Sequence, residues 1–459
     1  MKRTVMPLCG FFLMVSFFSC NISNDSGDDS VTFNAIDCVT NTYYRAQSVL
    51  LAEGEHCFVY GEKGSGLSAV KAQEIADEFD TGIYGPIVTN FGSFEDVDSN
   101  GKIILLLMDI RDGYVPGENS FVVGGYFDPT HMFDSGTMNF SNEADMLFID
   151  IDPFIPGTAF FYGIIAHEFQ HMISYSNTAL VDGKEQELWI NEGLSSGAEY
   201  VYSGSINQGR VDDFNNDRLG TISQGNNFFV WYGKWEFEDD ITRSDNYATV
   251  SLFFQWLRIH ASNGTGIYKD ILSSGYRDSN AVSAAAALRI DGEFSDWGNL
   301  LQTWFLANIL CMDSGFYGYG GALSVSMPPF NNTRVQGWDF APGEGIVSAK
   351  VANASFIPQL SGTNIRYLGI DSVSGTVYSD APYGGDMELV FNANSDSEGV
   401  DEHGYIANIS TQPNVDQSKG LSSPRSKVGP IVGDVHIRPG EGIVWMKKRD
   451  MYRTIESSK

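Results

Sequence analysis

Phe160-Phe161-Tyr162-Gly163-Ile164-Ile165-Ala166-His167-Glu168-Phe169-Gln170-His171-Met172-Ile173 sets two histidines and a glutamate inside an apolar run. Helical periodicity extends over Thr158 to Tyr175. Positions i and i+4 share a helix face, so His167 and His171 can aim imidazole nitrogens at one metal ion. Glu168 falls about 100° round the helix, beside such an ion, where a general base takes a proton from water. Zinc suits the task, because it lowers the pKa of bound water from ~15.7 to about 7 and polarises a carbonyl without redox chemistry. Two solvated histidines on an amphipathic helix would be the plainer reading. The apolar residues Ile164-Ile165-Ala166 argue against it, as does the frame itself, since the chain has only 7 histidines.

A third ligand is expected further on. Trp189-Ile190-Asn191-Glu192-Gly193-Leu194-Ser195 begins a second helical pattern over Leu188 to Tyr202. A glutamate from this helix completes a His₂Glu set and leaves one coordination position for water. Glu192 is the candidate, with Glu187 and Glu199 as competitors. Glu199, two turns on along the same face, fits better as an acceptor that orients a histidine.

AHEFQHMI followed by LWINEGLS resembles the glutamate-type zincins, specifically the hyicolysin family of secreted bacterial zinc metallopeptidases. The upstream phrases KIILLLMDIRDGY, GGYFDP and NEADMLFIDIDP resemble that family too, so the likeness covers roughly residues 55–260. It implies one Zn²⁺ held by His167, His171 and Glu192, with Glu168 as base and a polypeptide substrate. Thermolysin-like relatives carry an acid four residues beyond the glutamate ligand, where this chain has Ser196, so the partner of a histidine is open. In related glutamate zincins a tyrosine opening a later helix donates to the oxyanion. Tyr247, expected to start a helix running to His260, takes that place here, with His260 a weaker candidate.

Outward from this core, Met1-Lys2-Arg3 and the uncharged run from Thr4 to Ser19 read as a signal peptide, residues 1–19, too short for the ~20-residue span of a membrane helix. Phe17-Phe18-Ser19-Cys20 resembles a loose bacterial lipobox. Cys20 is then the lipidated first residue of a tether, residues 20–30, which anchors an exported protein at the cell envelope without a spanning helix. Residues 31–62 form a short β-type segment, 63–315 a zincin-like catalytic domain, and 316–459 a β-rich, sandwich-like domain. The fold class is α+β. Cys38 and Cys57 flank short strand-like runs and can bridge if those runs pair.

Two patterns remain. Asp96-Val97-Asp98-Ser99-Asn100-Gly101 matches the opening of a Ca²⁺ loop, but its twelfth position is Leu107 within an apolar strand, so a plain turn competes with calcium. Gly124-Gly125 marks either a bulge or an edge strand that an extended peptide can join. The balance of 28 Lys plus Arg against 58 Asp plus Glu excludes a phosphate-backbone partner, so no nucleic acid is expected. The competing function class is a catalytically silent zincin-fold surface lipoprotein acting in adhesion or host-protein binding.

Overall fold

The computed structural model describes residues 30–116, 121–216, 240–310, 313–323 and 325, together with separate strands between 366 and 445. Residues 1–29, with the expected signal peptide, Cys20 and nearly all of the expected tether, lie outside the described residues. The elements in chain order are β1 (Ser30–Asp37), β2 (Thr42–Glu53), β3 (Cys57–Glu62), α1 (Ala69–Glu78), α2 (Gly85–Phe91), β4 (Ile103–Met108), β5 (Phe121–Val123), β6 (Gly125–Phe127), β7 (Met146–Asp150), α3 (Ala159–Asn177), α4 (Ala179–Asp182), α5 (Leu188–Ser203), α6 (Gln208–Asn216), α7 (Asp240–His260), α8 (Gly266–Leu272), α9 (Ser279–Arg289) and α10 (Trp297–Leu310).

One mixed sheet organises them, in the order β1-β2-β3-β4-β7-β6. β3, β4 and β7 run parallel, while β1-β2, β2-β3 and β6-β7 pair antiparallel. The central strand β4 shows why it is apolar throughout. Ile103, Leu105 and Leu107 face the large helical core, and Ile104, Leu106 and Met108 face the smaller cluster on the opposite side. A strand buried on both faces needs no polar alternation. The strands of residues 31–62 and those that follow therefore share one sheet. The fold mixes helix and sheet as an α+β protein does.

Local differences from the sequence reading have physical causes. The spacing of Val70, Ile75, Phe79 and Ile83 reads as one helix over Ser68 to Tyr84 that Gly85-Pro86 stops, whereas a π-helical stretch, Phe79–Tyr84, carries the chain from α1 into α2. Pro86 sits in the first turn of α2, where a missing N–H costs little. The run Phe121 to Phe127 reads as a single strand in sequence but is not one. It breaks at Gly124 into β5, which pairs with a C-terminal strand at Ile431–Gly433, and β6, which edges the main sheet. Cys38 and Cys57 are not bonded to each other. The flanking runs never pair, since β2 lies between β1 and β3, and the two side chains pack in the cores on opposite faces of the sheet. Two strand spacings, about 10 Å, exceed the reach of a disulfide.

Of the residues after 365, a four-stranded sheet is described, in the order Gly385–Asn392, Gly404–Pro413, Ser372–Ser379 and Arg366–Gly369. Among the described residues no helix is long and apolar enough to cross a membrane.

Candidate metal centre

Helix α3 begins at Thr158, whose hydroxyl accepts from the Phe161 amide at 3.2 Å. From Phe161 to Ser174 every residue of α3 is buried, the two histidines and Glu168 included. Helix α5 packs against α3 and brings Glu192 to the same point. His167, His171 and Glu192 each present a ligand atom within 4.8 Å of the others. His167 Nε2 lies 3.4 Å and His171 Nε2 3.9 Å from Glu192 Oε2. His167 Nε2 is buried without a hydrogen bond at proper geometry, which is what a nitrogen kept for a cation looks like. One carboxylate and two imidazoles make a donor set suited to zinc.

The far side of His167 is held, and His171 has a hydroxyl neighbour. His167 Nδ1 meets Glu199 Oε1 at 2.9 Å, and Asn207 Nδ2 donates to the other Glu199 oxygen at 2.9 Å. The carboxylate missing at Ser196 is thus supplied one turn further along α5. Ser195 Oγ stands 3.1 Å from His171 Nδ1 and 3.3 Å from its Nε2, and also bonds Gln170 Oε1. Neither Ser195 nor Asn207 carries a sequence signal of its own. Glu187, the other competitor, accepts from Trp189 Nε1 at 2.6 Å and stands outside the three-residue group.

The electrostatics fit a cation. Burial disfavours charge on the His167 ring, yet the neighbouring carboxylates of Glu192 and Glu199 outweigh burial and push its pKa well up. Burial pushes Glu199 up in turn, and the His167 contact outweighs it and holds the carboxyl low. Buried carboxylates here demand positive charge, and a metal ion can replace the proton that would otherwise supply it.

Edge strand β6 crosses the metal helix closely. A Cβ on Gly125 would sit 2.9 Å from Glu168 Cγ and 3.0 Å from Ile164 Cγ2. Glycine at this position lets the outer strand approach the general-base candidate. An open cleft adjoins His171, with Phe127, Pro129, Tyr175, Gln186, Asn191 and Ile437 among its walls.

Tyr247 does not begin its helix. α7 starts seven residues earlier, at Asp240, and Tyr247 is buried with its ring 4.5 Å under the Arg210 guanidinium. Arg210 in turn acts on Glu199. His260 ends the same helix with Nε2 2.8 Å from the Gly318 carbonyl.

No family model matches the chain. Among curated proteins it is similar to the neutral metalloprotease ShpI of Staphylococcus hyicus, with 26% identity over 358 residues, 76% of this chain and 78% of that protein.

Proposed function

We propose that this chain is a zinc-dependent endopeptidase, exported and held at the cell envelope by lipid on Cys20. The observation that carries the catalytic reading is the convergence of His167, His171 and Glu192 from two helices, with Glu168 buried beside them under an edge strand. The likeness to a metalloprotease over three quarters of the chain supports it. His167, His171 and Glu192 would hold the ion, and Glu199 and Ser195 would fix the imidazoles. Zinc, when bound, supplies Lewis acidity toward water and the scissile carbonyl. Glu168 accepts the proton of the attacking water and returns it to the departing amine. An extended peptide adds to the outer edge of β6, so that main-chain bonds align it and the cleft beside His171 takes a side chain. Tyr247 is the proposed donor to the developing oxyanion.

Turnover of denatured protein by the purified chain tests the reading. Activity abolished by a chelator and restored by zinc is expected, and a metal-replete chain without turnover would point to a silent binding protein. Growth with a clickable fatty acid tests the anchor: label on the wild-type chain and none on Cys20→Ser is the expected result. An unlabelled mature chain that starts at another residue would refute it.

A further inference from the structure

Away from the metal helix, the acidic turn at Asp96–Gly101 has a partner that spacing along the chain conceals. Asp145 stands just before β7, and each of Asp96, Asp98 and Asp145 offers a carboxylate oxygen within 4.8 Å of the others. The parallel pairing of β4 with β7 creates this juxtaposition, with the Ile104 amide donating to the Asp145 carbonyl at 3.0 Å. Asp145 is fully buried, and neither carboxylate oxygen has a partner at hydrogen-bond geometry, although the amides of Val97 and of Asp145 itself act on it. Burial, then the charge of Asp98, push its carboxyl up to about 7. Among the described residues no lysine or arginine pairs with any of the three. The nearest basic residue along the turn, Lys102, is drawn away to Glu53 and to the Gly54 carbonyl, at 2.5 and 2.7 Å. Three carboxylates, one of them buried and without a partner at hydrogen-bond geometry, make an oxygen-only site of the kind that hard divalent cations occupy.

We propose that Asp96, Asp98 and Asp145 bind one calcium ion that pins the 93–101 loop to the start of β7. The turn itself is already shaped for this. Asp96 accepts from the amides of Asn100 and Gly101 at 3.1 and 3.0 Å, and Asp98 accepts from the same Asn100 amide at 3.1 Å, so one backbone turn holds both acids. The same loop braces the C-terminal end of α3. Asn177 Nδ2 donates to the Ser93 carbonyl at 2.6 Å, the Glu95 amide donates to Ser176 Oγ at 3.2 Å, and Phe94 packs edge-on against Phe169. Calcium therefore stabilises the platform on which the histidines stand without touching the reacting atoms.

Equilibrium dialysis of the full-length chain against CaCl₂, with thermal unfolding in parallel, tests the site independently of peptidase activity. Expected for wild type are one bound calcium more than for Asp145→Asn and a melting midpoint that rises by several degrees as calcium saturates. Asp145→Asn loses both the uptake and the shift, while melting above wild type in calcium-free buffer because its buried charge is gone. Asp98→Asn, at an exposed position, loses the uptake with no threat to folding. Equal calcium uptake by wild type and Asp98→Asn, or a wild-type midpoint indifferent to calcium, overturns the proposal.

Discussion

At the scale of single residues, the two buried glutamates beside the histidines have separable work. In the proposed reaction Glu192 would lend its charge to the ion, whereas Glu168 would only handle protons. Glu192→Ala is expected to lower zinc content at least 10-fold, measured by atomic absorption after dialysis. Glu168→Gln keeps the metal and loses peptidase activity by 10²-fold or more, about 3 kcal/mol of transition-state stabilisation. Zinc lost from Glu168→Gln would reverse the two roles. Tyr247→Phe removes only a hydroxyl from a ring that Arg210 already holds. As an oxyanion donor Tyr247 should cost kcat roughly 10²–10³-fold on losing its hydroxyl, with KM nearly constant. An unchanged kcat with a midpoint lowered by a few degrees would assign it to packing.

At the scale of elements, the helices of the centre were readable because an unbroken 3.6-residue apolar rhythm fixes which side chains share a face. That rhythm placed α3 over Thr158 to Tyr175 and α5 over Leu188 to Tyr202, within two residues of their ends. It said nothing about contacts between elements. Ser195 on His171 and Asp145 beside Asp98 arise from helix crossing and strand register, which no local pattern encodes. The failed Cys38–Cys57 pairing has the same cause, an intervening strand. The start of α7 was misread because Asp240 to Asn246 is polar and lacks the apolar rhythm. Close crossings are also where a single methyl group tells most. At Gly193 a Cβ would lie 2.2 Å from the buried Phe254 ring, so the ring or α5 must shift in Gly193→Ala, at a cost of about 1–3 kcal/mol in chemical denaturation. Gly125→Ala meets Glu168 Cγ and the Phe148 carbonyl and should lower kcat more than it lowers stability, because β6 and the base are forced apart. Equal kcat in wild type and Gly125→Ala would show that the crossing of β6 over α3 tolerates displacement.

At the scale of the whole molecule, an acidic chain with a formal charge of −30 is expected to answer to pH through those acids whose surroundings the fold changes most. Asp150, at the end of β7, is fully buried, and desolvation pushes its carboxyl up to about 8 against an ordinary value near 4. Its Oδ1 accepts from the Ile110 and Asp152 amides at 3.2 and 3.1 Å, while Oδ2 is buried without a partner. Below pH ~4 the acid is protonated in both folded and unfolded chains, and its contribution to stability is fully present. Between ~4 and ~8 the folded chain keeps a proton that the unfolded chain releases, so stability falls as pH rises, by at most ~1.4 kcal/mol per unit. Above ~8 the loss is complete. Asp150→Asn retains the oxygen that accepts both amides and removes the charge. Its unfolding free energy, measured in denaturant from pH 4 to pH 8.5, is expected to match wild type at the acid end and to exceed it increasingly toward the alkaline end. The difference between the two curves reports Asp150 together with its coupling to Asp112 and Asp109. Parallel curves over that range would mean that water or a neighbouring group satisfies the carboxylate in solution.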